Sequence, residues 1–372
     1  MSTARPAPPT AVRGAAVPGG RLEGVDVARA LALLGMMAAH VGGIADQVEW
    51  SDPGTWAAVA NGRPSSLFAV LAGVSIGLTS GRSTPPGPPE IGRIRGRLAV
   101  RAAVVIALGL LLMALQTPVY VILPTYGALF LLVIPVLRVR ARWLLVLAGG
   151  CAVVSPVAAL AVVPLYGDAG LWEAQLGLVY PVVTFLAYVL VGLAVARGGL
   201  GARRVQVGLL AVGAVVAAAA YAVGNTLAPV PVDAAKAFPG LPFAGEGSTP
   251  SEAVAQLFLS PRDHSSSIVD VVGTAGVAVA VIALCTLVFD GRGRTLRRVA
   301  FPLAATGSMP LSVYAGHIVV LALLPGFPDS GVAWWCFAVG SVLSAMTWRT
   351  FLGRGPLERL TARLTRLVPD VR

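Results

Sequence analysis

Long apolar runs recur along almost the whole chain, and each run ends in a cluster of arginine, proline or glycine residues. Runs of about 18 to 25 residues are long enough to cross a lipid bilayer as helices. Only 12% of the residues are charged, about half the fraction found in soluble globular domains. Length and composition together predict an all-α fold, a polytopic membrane helical bundle.

Ten transmembrane helices account for the pattern, with ends given to within a few residues. The predicted spans are 25–45, 58–80, 98–117, 120–137, 143–164, 179–196, 205–227, 268–289, 299–323 and 332–351. With a cytoplasmic N-terminus, all but three of the 28 basic residues, Arg29 and Arg101 included, fall on the cytoplasmic side. The exceptions are Arg63, Lys236 and Arg262. An odd number of spans would spoil this alternation, so we predict that both termini are cytoplasmic.

The segments outside the spans define the domain organisation. Residues 1–20 are rich in Ala, Pro and Gly and predict a disordered tail. Residues 21–353 form the predicted transmembrane domain, whose first span is read as an uncleaved anchor, and residues 354–372 a basic cytoplasmic tail. The external loop 228–267 contains Thr249-Pro250-Ser251-Glu252, a typical helix start. We expect a short helix through Leu259 that lies on the membrane surface or caps a cavity.

Several classes of function find no support in the sequence. The net charge of +11 resides in short loops between spans, so it does not indicate nucleic-acid binding. Cys151, Cys285 and Cys336 all lie inside apolar spans without pairing or metal spacing, and we interpret them as packing residues. The chain has no metal-binding pattern, no phosphate-binding glycine loop and no G-x-S-x-G, so neither a metal hydrolase nor a nucleotidase is indicated.

The first span carries ionisable residues among its apolar ones. Asp26, Arg29 and His40 lie on one narrow stripe of the helix, and His40 is about 21 Å from Asp26 along the axis. Charged groups in a span are costly and are functional candidates by default. Asp26 and Arg29, spaced i, i+3, either neutralise each other structurally or bind an anionic cofactor.

The three histidines of the chain are all predicted on the external side of the membrane. His40 ends the first span, His264 precedes the eighth, and His317 lies in the outer half of the ninth. This placement suggests a single site, in which His40 would be a general base. The alternative is that each histidine is satisfied by a carbonyl, by water or by lipid headgroups.

Two further segments carry candidate substrate-binding residues. Pro310 should kink the ninth span in mid-membrane, where Tyr314 precedes His317 by three residues. A broken polar helix typically lines a cavity. Asn61 and Arg63 begin the second span on the outside, and Arg63 either holds an anionic group of a substrate or reaches lipid phosphates. We therefore predict His264, Tyr314, Asn61 and Arg63 as substrate-binding residues.

Several stretches resemble a known family. VDVARALALLGMMAAHVGG, NGRPSSLFAVLAGVSIGL, ILPTYGALFLL, GSMPLSVYAGHIVVLA and FLGRGPLERL are similar to segments of the bacterial DUF418 membrane proteins. These proteins resemble the wider transmembrane acyltransferase superfamily that includes heparan-α-glucosaminide N-acetyltransferase. The resemblance implies a bundle of ten or eleven helices that takes acetyl or acyl groups from cytosolic acyl-CoA. It also implies an acceptor, usually a sugar, on the opposite side.

The chain departs from the sugar acetyltransferase branch at three points. That branch has an Asn where His40 stands, and a histidine in the following loop shortly before Trp-Asn-Gly. Here the loop has Trp50, Trp56 and Asn61-Gly62 but no histidine. The family's Asp-x-x-Arg-Gly appears as Asp26-Val-Ala-Arg29-Ala30. The missing loop histidine leaves His40 as the candidate base.

These readings lead to one main hypothesis and two rivals. The main hypothesis is acyl transfer from cytosolic acyl-CoA, such as acetyl-CoA, to a cell-envelope glycan or glycolipid at the plasma membrane. His40 would be the base, His317 and Tyr314 would orient the acceptor or stabilise the oxyanion, and Asp26 with Arg29 would bind the cofactor. No metal is expected, and a homodimer is possible. The rivals are a transporter or flippase for a small solute or lipid, and a non-catalytic scaffold.

Overall fold

The computed structural model of the chain describes residues 21–45, 48–49, 51–163, 179–229, 248–291 and 293–368. Throughout these residues the secondary structure is helical, and they contain no strand. The predicted tail 1–20 and the middle of the predicted external loop, residues 230–247, lie outside the described residues. The fold class is therefore all-α, as the sequence predicts.

Thirteen α-helices follow one another in the described residues. They are α1 (Glu23–Val41), α2 (Arg63–Thr79), α3 (Pro88–Met113), α4 (Leu123–Val133), α5 (Ala141–Val162), α6 (Val182–Arg197), α7 (Arg203–Leu227), α8 (Pro250–Leu259), α9 (Ile268–Phe289), α10 (Arg294–Gly307), α11 (Pro310–Leu323), α12 (Gly331–Phe351) and α13 (Pro356–Arg366). A 3₁₀ helix, Pro53–Ala60, precedes α2, and a 3₁₀ turn, Ile134–Val136, continues α4.

Each of the ten predicted spans overlaps one of these helices, or, for the ninth, the pair α10 and α11. Among the described residues, six helices are long and apolar enough to cross a membrane: α1, α3, α5, α7, α9 and α12. The pair α10 and α11 would make a seventh span, and α4 and α6 are shorter apolar helices. The protein is thus a multi-pass membrane protein, while ten crossings and cytoplasmic termini stay predictions.

The bundle has two chemically different ends. At the basic end, the starts of α1, α7 and α10 meet the ends of α2, α6, α9 and α12 around one cavity. At the opposite end, which we call the histidine end, Ser330 before α12 donates a backbone hydrogen bond to Val41 at the end of α1 (2.9 Å). There Asn61 also reaches the Ala45 carbonyl (2.9 Å).

Helix α1 is central and packs against α2, α9, α10 and α12. Small residues bring the neighbouring backbones close together. A Cβ atom on Gly307 of α10 would lie 1.7 Å from the Asp26 carbonyl oxygen of α1. A Cβ atom on Gly73 of α2 would lie 2.0 Å from the Val189 carbonyl oxygen of α6. Such close approach is the usual way for helices to associate within a membrane, where water does not drive packing.

The ninth predicted span is broken into two helices that meet at 64°. α10 ends at Gly307 and α11 begins at Pro310, because proline has no N–H group and cannot continue the preceding helix. The carboxylate of Glu358 covers the new helix start. Its Oε1 accepts hydrogen bonds from the backbone N–H groups of Leu311 (2.8 Å) and Ser312 (3.2 Å). The predicted kink is confirmed, and it is a complete interruption.

Glu358 lies in α13, within the segment predicted as a cytoplasmic tail. α13 packs against α3 and α11, and the Ser312 hydroxyl donates to Glu358 Oε2. Gly355 lets this contact form, because a Cβ atom there would lie 2.2 Å from Glu358 Oε2. Residues 356–366 therefore belong to the bundle.

The predicted helix start at Thr249 is confirmed. α8 begins with a capping box in which Thr249 Oγ1 accepts from the Glu252 N–H group (3.3 Å). The Thr249 N–H group in turn donates to Glu252 Oε2 (2.7 Å). These bonds lower the pKa of Glu252. At the other end, buried Gln256 donates to the Pro229 carbonyl (2.7 Å), which fixes α8 to the segment that follows α7.

We expect Glu358→Ala to destabilise the protein, because two N–H groups and one hydroxyl of α11 would lose their acceptor. The expected loss is on the order of 2 kcal/mol, measured as a lower melting temperature in detergent. Glu90→Ala is a matched control, since exposed Glu90 occupies the same position in Gly87-Pro88-Pro89-Glu90 that Glu358 occupies in Gly355-Pro356-Leu357-Glu358. Equal effects of the two substitutions would contradict the capping role of Glu358.

Candidate active site

Two histidines from distant parts of the chain meet inside the bundle. His40 comes from the last turn of α1, and His317 comes from the middle of α11. His40 Nδ1 lies 3.1 Å from His317 Nε2, and the rings stack with centroids 5.3 Å apart and planes 12° apart. The structure therefore brings together two of the three histidines that the sequence places on one side.

The contact between the two histidines constrains where the protons of the pair reside. His317 is buried, and its Nδ1 atom has no hydrogen-bond partner among the described residues. The contact needs a proton on one of the two facing nitrogens, and a base at His40 needs the tautomer in which Nδ1–H of His40 donates to Nε2 of His317. This tautomer leaves the lone pair on Nε2 of His40, whose side chain is only partly buried.

Tyr314 lies next to the histidine pair. Its ring meets the His317 ring edge-on, with centroids 5.2 Å apart and planes at 77°. The Tyr314 hydroxyl accepts a hydrogen bond from the Ile122 N–H group (3.3 Å). Because that bond uses only a lone pair, the hydroxyl proton remains available as a donor. The predicted substrate-binding residue Tyr314 thus lies beside the histidine pair with a free proton.

Tyr314 also lines an inner cavity of about 50 Å³. Helices α1 to α4 and α11 enclose it, and its walls are mainly aliphatic and aromatic. The lining residues are Arg29, Met36, Phe68, Leu71, Ala72, Ser75, Ile76, Arg101, Val105, Ile122, Leu123, Tyr126, Phe130, Pro310, Leu311 and Tyr314. The volume suits a few water molecules or a narrow chain. Arg29 and Arg101 thus line a mainly apolar cavity that extends as far as Tyr314, the residue that contacts His317.

Asp26 lies between two arginines at the basic side of this cavity. One carboxylate oxygen pairs with Arg29 and the other with Arg21, so the predicted i, i+3 pair forms within a triad. Arg29 also donates to Ser75 Oγ (3.0 Å) on α2. One carboxylate facing two guanidinium groups leaves a net positive charge next to the cavity.

Arg101 is a cavity residue that sequence reasoning missed, because it was counted with the basic loops. It lies well inside α3, and its guanidinium group is 5.5 Å from the centroid of the Phe130 ring. Its Nε atom is buried without a hydrogen-bond partner, and no carboxylate of the described residues forms a salt bridge with it, although the negative charge of Glu358 acts on it. The position of Arg101 inside an apolar run could have identified it as a functional candidate, since charges within spans are costly.

A larger cavity of about 840 Å³ opens at the basic end, and we call it the vestibule. Among the described residues, its wall contains five arginines and two acidic residues, Glu23 and Asp290. The arginines are Arg21, Arg82, Arg203, Arg297 and Arg349. Arg297 pairs with Glu23 (2.7 Å). Since Arg21 also belongs to the Asp26 triad, a continuous row of charged side chains connects the vestibule with the inner cavity.

His264 belongs to a separate pocket, so the expectation of one three-histidine site is wrong. The pocket also contains Thr184, Ser266 and Asp270, and the His264 ring lies 6.3 Å from the Tyr180 ring. His264 and Ser266 both have a φ of +57°, which is unfavourable for residues with a side chain. Burial lowers the pKa of His264, although Asp263 acts in the opposite direction.

Asn61 and Arg63 lie beside the His264 pocket. Gly62 between them lines that pocket, and a Cβ atom on Gly62 would be 2.8 Å from the Asp263 Cβ. The Arg63 guanidinium group lies 5.2 Å from the centre of the Tyr221 ring on α7. The structure thus places these two residues with His264, and their roles in substrate binding stay predictions.

Asp290, in the vestibule, gives a pH-dependent prediction. Burial and the nearby Glu23 and Asp26 raise the pKa of Asp290 to about 6, although its Oδ1 accepts from the Gly24 N–H group (2.8 Å). The unfolded value is about 3.9. The folded state therefore keeps the proton to higher pH, and the stabilising contribution of the neutral form is lost as the pH rises from about 4 to about 6.

Asp290→Asn keeps an acceptor for Gly24 and removes the charge, so we expect it to stabilise the protein at pH 7.5. The gain is about 1 kcal/mol after allowing for solvent screening of a partly exposed group. Melting temperatures at pH 7.5 and pH 4 test this, because the two proteins should differ little at pH 4. A variant that melts lower than the natural protein at pH 7.5 would contradict it.

The site geometry can be compared with known families. A family model described as "Heparan-alpha-glucosaminide N-acetyltransferase, catalytic" matches residues 21–228, more than half of the chain. The matched region contains the Asp26 triad, His40 and Arg101, while His317 lies beyond it. No curated protein matches the chain at significant similarity. This protein therefore belongs to the heparan-α-glucosaminide N-acetyltransferase-like family of membrane proteins, an acetyltransferase family.

Proposed function

We propose that this protein is an integral membrane acyltransferase. It moves an acetyl or other acyl group from cytosolic acyl-CoA to a cell-envelope sugar or glycolipid on the opposite side of the plasma membrane. The observation that carries the proposal is the contact between His40 and His317 (3.1 Å), next to an arginine-lined interior. Membership of an acetyltransferase family supports acyl transfer as the reaction class.

His40 acts as the general base. Its Nε2 atom takes the proton from the acceptor hydroxyl or amine while the acceptor atom attacks the thioester carbonyl carbon. The hydrogen bond from Nδ1–H of His40 to His317 Nε2 then stabilises the imidazolium. His317 thereby holds the ring and tautomer of His40, the part that a carboxylate plays in a Ser-His-Asp triad.

The tetrahedral intermediate carries its negative charge on the former carbonyl oxygen. Tyr314 is the donor for that oxygen, since its hydroxyl proton is free and its ring touches His317. Collapse of the intermediate breaks the carbon–sulfur bond, and the proton on His40 passes to the CoA thiolate. The base is then ready for another cycle.

The donor enters from the basic end, which the charge distribution predicts to be cytoplasmic. The five vestibule arginines attract the phosphates of the CoA nucleotide. Arg29 and Arg101 extend this positive charge into the inner cavity. The apolar walls of the cavity contact the uncharged arm of the donor as far as Tyr314. Because the cavity holds only about 50 Å³, small separations of α1, α3 and α11 accompany donor binding.

A transporter or flippase is the second candidate, favoured by one observation. Arg101 lies in the interior of a predicted span and forms no salt bridge among the described residues, and such a residue would also attract an anionic solute that crosses the membrane. The two functions differ in the fate of acyl-CoA: the enzyme releases free CoA, whereas a carrier accumulates an unmodified solute and leaves acyl-CoA intact.

The proposal predicts that His40→Ala reduces turnover at least about 100-fold, the usual contribution of a general base. The assay is release of free CoA by the purified protein in lipid nanodiscs, supplied with acetyl-CoA and an envelope extract. His317→Gln should retain part of the activity, because an amide oxygen can accept the His40 proton where Nε2 did. Full activity in a correctly folded His40→Ala protein would refute the assignment of the base.

Arg101→Met should weaken acetyl-CoA binding about tenfold or more, since the variant loses a charge-assisted interaction with a phosphate. Arg101→Lys keeps the charge and should lose less. Arg204→Met is the matched control, because Arg204 adds a positive charge at the same end but lines neither cavity. Calorimetric titration with acetyl-CoA measures the three affinities. If Arg204→Met and Arg101→Met weaken acetyl-CoA binding equally, only the overall positive charge of the protein attracts the donor.

A further inference from the structure

α11 has a second face, which lines a groove with α12, and we call it the lateral groove. Its volume is about 560 Å³, within the range of about 300 to 1,000 Å³ that small-molecule sites occupy. The lining residues are Met309, Ser312, Val313, Gly316, His317, Val320, Leu324, Cys336, Phe337, Gly340, Ser341, Ser344, Ala345, Trp348 and Pro356. From Cys336 to Trp348 the groove follows α12 for about 18 Å.

The break before α11 creates this groove. α12 packs along α10 and α1, whereas α11 turns away from α10 by 64° and contacts α12 only slightly. Glycines leave the resulting space empty, since a Cβ atom added to Gly316 or to Gly340 would have no neighbour within 4 Å. α12 is mostly exposed on the outside of the bundle, so the groove opens towards lipid.

The lateral groove and the inner cavity differ in charge. The described residues that form the wall of the groove include no Asp, Glu, Lys or Arg, whereas Arg29 and Arg101 line the inner cavity on the other face of α11. His317 connects the two compartments: it lines the groove, stacks on His40 and touches Tyr314 at the inner cavity. An anionic donor therefore belongs to the inner cavity, and an uncharged apolar chain belongs to the groove.

We propose that the acceptor is a lipid-linked molecule that enters sideways from the bilayer. Its hydrocarbon chain lies in the lateral groove, and its hydroxyl or amine group reaches the stacked rings of His317 and His40. This inference rests on the proposed acyl transfer and specifies the acceptor class. The hydrocarbon around the groove excludes a water-soluble glycan from this route, while a chain that is already dissolved in the bilayer enters without leaving an apolar environment.

Photo-crosslinking tests occupancy of the groove without any donor. The probe is a long-chain alkyl β-glucoside with a diazirine in its chain, added to the full-length protein in nanodiscs, and labelled peptides are mapped by mass spectrometry. We expect labelling concentrated on residues 309–324 and 336–348. Gly340→Leu fills the groove and should reduce that labelling at least fivefold. Gly149→Leu is the matched control, because Gly149 on α5 is also exposed with no atom within 4 Å of its Cβ position.

Labelling spread evenly over exposed helices such as α5 and α7, and unchanged by Gly340→Leu, would overturn the proposal. An activity arm separates its failure from failure of the proposed function. With acetyl-CoA as donor, we expect CoA release with decyl β-glucoside to exceed release with methyl β-glucoside at least tenfold, and Gly340→Leu to remove this difference. Equal rates with both glucosides would also overturn the lipid-linked acceptor while leaving acyl transfer intact. Absence of CoA release despite concentrated labelling would refute acyl transfer and leave the groove as a lipid site.

Discussion

The carboxylate of Glu358 at the start of α11 is the interaction on which the arrangement of the site depends. A helix that begins inside a membrane exposes N–H groups that no water can satisfy, and each such group is costly. Glu358 accepts from Leu311 and Ser312 and places negative charge at the positive end of the helix dipole. This cap lets the chain turn by 64° within the bundle. This change of direction brings Tyr314 and His317 close to His40 and separates α11 from α12.

Once it is broken away from α10, α11 becomes a wall between two compartments of opposite character. One face meets a cavity with two arginines, and the other meets an uncharged groove open to lipid. A single helix can serve both because Leu311 and Tyr314 point to one face and Gly316 and Val320 to the other. The histidine pair lies where these faces meet, so in the proposed reaction the fold keeps the anionic donor apart from the apolar acceptor.

The sequence predicted most of the fold because bilayer thickness constrains helix length, and every predicted span overlaps a helix. The sequence placed all three histidines on one side of the membrane, which stays a prediction, but it gives no lateral position, so His264 was wrongly grouped with His40 and His317. Arg101 was missed because charge counting assigns arginines to loops. The role of Glu358 depends on a contact with residues 46 and 47 positions earlier, which no local pattern reveals.

The choice of a histidine as the partner of His40 follows from the same electrostatics. A carboxylate partner would bring a permanent charge into the bundle, where it is costly unless it is paired. A neutral imidazole still accepts the Nδ1 proton, so it fixes the tautomer without that cost. In the proposed reaction, His40 gains its positive charge beside a neutral partner.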